Sequence, residues 1–133
     1  MNKSVIASVE DLFFRSKIET TARHLNVPVR FVGARELSKA CGDKGVAAVL
    51  LELSNGGSLD AVRELRQSRG SELPLIGFLS HVDKDLARQA EAAGVSRTMA
   101  RSEFSETLPD LLMDLLAPGT KREVQEEPEL PDE

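Results

Sequence analysis

Apolar and polar positions alternate along the chain between two periods. Ser4–Val9 is a short apolar, β-branched run and predicts a strand. From Leu12 to Leu25 the spacing changes: Phe14, Ile18, Ala22 and Leu25 recur four, four and three residues apart, one face of a helix, with Asp11 placed to cap it. Pro28–Val32 alternates as a second strand, near a sheet edge because Pro cannot donate to a ladder. Arg35–Cys41 reads as a short second helix stopped by Gly42. Val46–Leu53 is apolar except for Glu52 and runs into Ser54-Asn55-Gly56-Gly57, the pattern of a strand covered on both faces. Leu59–Arg69 predicts a third helix, with Ala61, Val62 and Leu65 toward the sheet and Arg63, Glu64 and Arg66 outward. Leu73–Leu79 is a fourth strand, and Ser80-His81-Val82-Asp83 is the corner after it. Val82, Leu86, Ala90 and Ala93 stripe a fourth helix, which Gly94 ends. Ser96–Ala100 is a last, poorly apolar strand. Ser102–Leu116 is a fifth helix, with Leu108, Leu111, Leu112 and Leu115 inward and Pro109 in its first turns.

Strands alternating with helices imply right-handed crossovers and a parallel α/β sheet. A chain of 133 residues supports one core, assigned to residues 1–117. After Pro118-Gly119 the composition turns acidic and Pro-rich, and residues 118–133 are expected to be a disordered tail.

Composition narrows the function classes. With five Phe, no Tyr and no Trp, a platform for stacking single-stranded nucleic acid is hard to build. A net charge of −5 opposes binding to phosphate backbones, so no nucleic-acid partner is expected. No apolar run approaches the roughly 18 residues of a membrane span, and the amino terminus lacks a signal-peptide core. A cytoplasmic protein is expected. The lone Cys41 excludes an intrachain disulfide and a multi-cysteine metal site, and reads as a small, partly buried hydrophobe. His24 reads as a surface residue.

Glu52 is the only charge of the central strand and stands at its carboxyl end, where sites form in open parallel sheets. Glu10-Asp11, Ser80-His81 and Arg101 follow other strands and belong to the same edge. Plainer roles stay open for each. Glu10 and Asp11 can cap the first helix with or without a site role, and Ser80 can cap the fourth. His81 can be a solvated corner, Arg101 a surface residue and Glu52 the first residue of a loop.

Five βα units, acids after strand 1, an acid ending strand 3, a Ser after strand 4 and a cation after strand 5 resemble the receiver domain of bacterial response regulators. The resemblance spans about Lys3–Leu116 and implies a flavodoxin-like, doubly wound sheet of order 2-1-3-4-5 with five helices. The stretches Asp11–Ile18 (DLFFRSKI), Ser80–Asp83 (SHVD) and Ala100–Phe104 (ARSEF) also resemble a receiver-like branch of bacterial proteins, which implies no activity. In receivers the acids after strand 1 hold Mg²⁺ and an Asp ending strand 3 accepts a phosphoryl group. A Ser or Thr and a Lys then contact the phosphoryl oxygens. Carried onto this chain, the positions are Glu10 and Asp11, Glu52, Ser80 and Arg101, with Thr98 where an aromatic switch residue is common.

The departures from that pattern decide the reading. Val9 stands at the first acidic place, which thins the oxygen ligands that Mg²⁺ demands. Glu52 is one methylene longer than Asp, and Arg101 presents a planar fork suited to a carboxylate, so the two are expected to pair permanently across the edge. The chain thus reads as a pseudo-receiver. The expectation is a non-catalytic, phosphorylation-independent signalling module without a cofactor or metal. It would bind a signalling protein, or a second copy of itself, through the surface of the fourth helix, fifth strand and fifth helix. His81, Arg88, Arg97, Thr98 and Glu103 belong to that surface. The alternatives are a sensor of a small anion or a metal, the anion held by Ser80, His81 and Arg101, and a residual phosphoryl-accepting regulator or metal-dependent enzyme using Glu10, Asp11 and Glu52.

Overall fold

The computed structural model describes residues 3–42, 45–69, 73–80 and 83–116. His81, Val82 and the acidic segment 118–133 lie outside them. The elements in chain order are β1 (Ser4–Ser8), α1 (Leu12–Leu25), β2 (Val29–Phe31), α2 (Leu37–Ala40), β3 (Val46–Glu52), α3 (Ser58–Arg69), β4 (Leu75–Leu79), α4 (Lys84–Ala93), β5 (Arg97–Ala100) and α5 (Arg101–Leu116). All strand pairs are parallel, in the order β2-β1-β3-β4-β5. This is the flavodoxin-like arrangement that the resemblance implied.

Period-two alternation divides each strand between two cores. Val5, Ala7 and Val9 of the first unit join Leu50, Ile76 and Phe78 under α1 and α5, against Phe14, Ile18, Phe104, Leu108 and Leu112. The intervening residues Ile6, Val49, Leu51, Leu75 and Leu79 pack with Leu37, Val62, Leu65 and Ala90 of α2, α3 and α4. The sheet is covered on both faces, as the unbroken apolar run of β3 requires. In the first core three rings form a ladder. Phe78 stacks on Phe104 at 4.4 Å between centroids and meets Phe14 at 4.8 Å.

Four local details differ from the pattern-based reading. The second helix is a 3-10 turn at Ala34–Glu36 followed by the single α-turn of α2, since the segment anchors mainly through Leu37 and the fully buried Cys41. Pro109 lies in the middle of α5, not its first turns, on the exposed side, and the helix continues past it to Leu116. α3 opens at Ser58, one residue before the predicted start at Leu59. Arg66 does not point away: its Nε donates to the Gly94 carbonyl at 2.8 Å and its Nη2 to Ser96 Oγ at 3.2 Å, tying α3 to the end of α4. Partial desolvation lowers the Arg66 pKa from the ordinary arginine value. Gly94 has φ of +122°, and a Cβ there would meet Arg66 Cγ at 2.6 Å.

Gly77 in β4 is held by packing alone. A Cβ at this position would come within 2.7 Å of Leu53 Cγ and Cδ1, and Leu53 is itself buried. Gly77→Ala is therefore expected to cost about 1–3 kcal/mol, the usual penalty for overfilling a packed core. Urea unfolding of the variant measures this; an unchanged midpoint would show that Leu53 repacks freely.

Candidate functional site

The strand order reverses between β1 and β3, and the carboxyl ends of these two strands border the crevice where open α/β sheets bind ligands. Glu52 closes β3. It shares strand parity with Leu50, so its side chain projects to the face covered by α1 and α5. There it is only 6% exposed, and a carboxylate removed from water needs donors. Two come from the turn after β1: the Glu10 and Asp11 backbone N–H groups donate to Glu52 Oε1 at 2.8 and 3.0 Å. Arg101 Nη2 lies 3.9 Å from Oε2, an ion pair but longer than a hydrogen bond. The Glu52 carbonyl is held as well, by the Ser58 hydroxyl at 2.9 Å and the Asn55 N–H at 3.2 Å.

The other edge residues take different roles. Asp11 caps α1, its Oδ1 accepting from the Phe13 and Phe14 N–H groups at 2.9 and 3.2 Å. Glu10 is exposed, and its carboxylate has no hydrogen-bond or ion-pair partner among the described residues. Val9 is a core residue, while its carbonyl accepts from Arg15 Nη1 at 3.2 Å. Ser80 is exposed and does not cap α4; Asp83 does, accepting from the Leu86 N–H at 3.1 Å. The Arg101 side chain is 44% exposed, with its guanidinium carbon 5.7 Å from the Phe14 ring centroid, within cation–π range. Among the described residues no three His, Cys, Asp or Glu side chains gather so as to hold a metal ion.

No protein-family model matches the sequence, and no curated protein matches it. Solved structures do match. The receiver domain of a sensor histidine kinase from Pseudomonas aeruginosa, with a magnesium ion coordinated in its active-site cleft, aligns at 17% identity. Its TM-score is 0.73, over 87% of this chain and 98% of that one. A response regulator from Hahella chejuensis gives 17% and 0.74 over 88% and 97%. The chemotaxis response regulator CheY4 of Vibrio cholerae gives 18% and 0.71 over 87% and 100%. The chain has the receiver fold. Identities this low establish the fold and leave the site to its own geometry.

On the α4–β5–α5 side of this receiver fold the remaining candidates lie apart from Glu52 in separate local pairs. Arg88 pairs with Asp85 within α4. Thr98 Oγ1 donates to Glu91 Oε2 at 3.3 Å. Arg97 of β5 pairs with Glu103 of α5 at 3.4 Å, both largely exposed. His81 lies outside the described residues.

Sequence reasoning missed two parts of the edge. Ser58 follows Gly56-Gly57 at a helix start, a signal that was present; the Glu10 and Asp11 N–H groups carry no side-chain signal at all. The geometry also ranks the interactions of Glu52. Glu52→Ala strands two donors and is expected to cost about 1–3 kcal/mol, whereas Arg101→Ala removes a half-exposed pair worth about 0–1 kcal/mol. Glu52→Gln keeps an acceptor oxygen and should recover most of the loss. Chemical denaturation of the three variants checks the order, and a larger effect at Arg101 than at Glu52 would reverse it.

Proposed function

We propose that this chain is a non-catalytic signalling module of the receiver type that acts without phosphorylation and binds a protein partner through its α4–β5–α5 side. One observation carries the reading: the Glu52 carboxylate, at the phospho-acceptor position that the resemblance assigns, is already committed. Its Oε1 takes two backbone donors and its Oε2 faces Arg101. An attacking carboxylate oxygen must be free and aligned with the phosphorus; here Oε1 is engaged by two N–H groups, and Oε2 of this nearly buried carboxylate faces the Arg101 guanidinium at 3.9 Å.

The donor set does not fit a divalent cation either. Mg²⁺ demands near-octahedral oxygen ligands. Here Val9 supplies none from its side chain, Asp11 Oδ1 is spent on the α1 amino end, and a guanidinium stands beside Glu52. An enzyme using Glu10, Asp11 and Glu52 finds no support in these positions. The surface offered to a partner bears the exposed Arg88, Arg97 and Glu103 and the half-buried Thr98, and its charges suit specificity and encounter rate more than raw affinity. No described helix is long and apolar enough to cross a membrane.

The test is incubation of the purified chain with acetyl phosphate and Mg²⁺, followed by intact-mass measurement. The expected mass is unchanged. A gain of one phosphate that hydroxylamine removes would mean that a carboxylate of this chain does accept the group, and the proposal would fall.

A further inference from the structure

The long helices are anchored very unequally. α1 buries Phe14, Ile18 and Ala22, α3 buries Ala61, Val62 and Leu65, and α5 buries Phe104, Leu108, Leu111 and Leu112. Of the ten residues of α4 only Ala90 is buried, with Leu86, Ala87 and Ala93 half-buried. Space flanks the helix on both sides. A cavity of about 450 Å³ is lined by Leu86 and Gln89 of α4 and by Leu59 and Arg63 of α3. Another of about 190 Å³ is lined by Ala87 of α4 and by Leu79 and Met99 of the sheet. Asp83 caps the helix, but among the described residues no hydrogen bond or ion pair joins residues 84–90 to another helix or strand.

The carboxyl end of α4 is held in another way. Arg66 reaches across from α3, its Nε donating to the Gly94 carbonyl at 2.8 Å and its Nη2 to Ser96 Oγ at 3.2 Å. Ser96 is itself fastened to β4: its Oγ accepts from the Leu75 N–H at 2.9 Å, and its own N–H donates to the Leu75 carbonyl at 2.8 Å. The Arg66 stem lies so close to Gly94 that a Cβ there would meet it at 2.6 Å, so the glycine admits the side chain. The other tie, from Thr98 Oγ1 to Glu91 Oε2 at 3.3 Å, joins two neutral-to-charged groups at the surface. We propose that α4 opens from the sheet as a local unit, ahead of global unfolding, and that Arg66 is the latch that holds it closed. Few buried apolar contacts place an element at the low-stability end of a fold, and a guanidinium bond to a carbonyl is charge-assisted and stronger than a neutral one. Opening uncovers Leu79 and Met99, both buried in the closed state, and so gives the α4–β5–α5 side an apolar surface that only the open state presents. This inference does not rest on the proposed function, since it involves neither phosphorylation nor a partner.

Native-state hydrogen exchange of the full chain tests it. In the unsubstituted protein the amides of residues 88–93 should share one level of protection, at least about tenfold below that of the β1, β3 and β4 ladder amides. Arg66→Met keeps the aliphatic stem and removes the donors. It should speed exchange of the α4 amides about tenfold, the effect of one lost hydrogen bond to a charged group, while the β1 and β3 amides keep their rates. Arg66→Lys retains a single donor and should recover part of the protection. Amides in α4 as protected as those of the central strands would overturn the inference, a result that needs no variant. So would an Arg66→Met chain in which α4 exchanges at its native rate, or one in which every amide speeds up equally, since Arg66 would then support the whole fold and not α4.

Discussion

A buried carboxylate has to be met by donors, and Glu52 finds its donors in the backbone of its own chain. The two hydrogen bonds from Glu10 and Asp11 fasten the turn after β1 to the end of β3, across the point where the sheet changes direction. Other features of the edge follow from that tie. With its N–H engaged by Glu52, Asp11 caps α1 with its side chain, which joins the start of that helix to the end of β3. Arg101 completes the charge balance from the start of α5, at the longer distance that suits a half-exposed side chain.

The core explains why the carboxylate can stand where it does. Glu52 follows the parity of Leu50, and beneath that face the rings of Phe14, Phe78 and Phe104 make a rigid apolar floor. Phe14 links floor and site, being both a member of the ring ladder and the surface over which Arg101 lies. On the opposite face Gly77 leaves room for Leu53, the residue directly after Glu52. Tight packing on both sides of β3 fixes the strand end, and the carboxylate inherits that position. The added methylene of Glu relative to Asp then has a structural use, since the side chain spans to the neighbouring turn.

Much of this was legible from residue patterns. Period-two runs and helical stripes located every strand and helix, because both faces of a parallel sheet must be apolar, and that demand marks the sequence strongly. Patterning failed where the constraint was weak. The segment around Leu37 has a single turn's worth of anchors and folds as a 3-10 turn plus a short helix. Arg66 read as an outward charge because its carbonyl partner, at Gly94, is 28 residues away in sequence. At the site, the position of Glu52 and its nearness to Arg101 could be reasoned from strand ends. The dominant partners could not, because backbone N–H groups are the same in every residue. Ser80 was read as a possible cap, yet Asp83 stands three residues before Leu86, the spacing from which a side-chain oxygen reaches a first-turn N–H.

The tie between Glu52 and the turn after β1 is most directly read by hydrogen exchange at the Glu10 and Asp11 amides. In the native chain both should exchange slowly compared with neighbouring loop amides, with or without Mg²⁺. In Glu52→Ala both should become fast while the β3 and β4 ladder amides stay protected. Amides at Glu10 and Asp11 that exchange equally fast in the native chain and the variant would contradict the account at its centre.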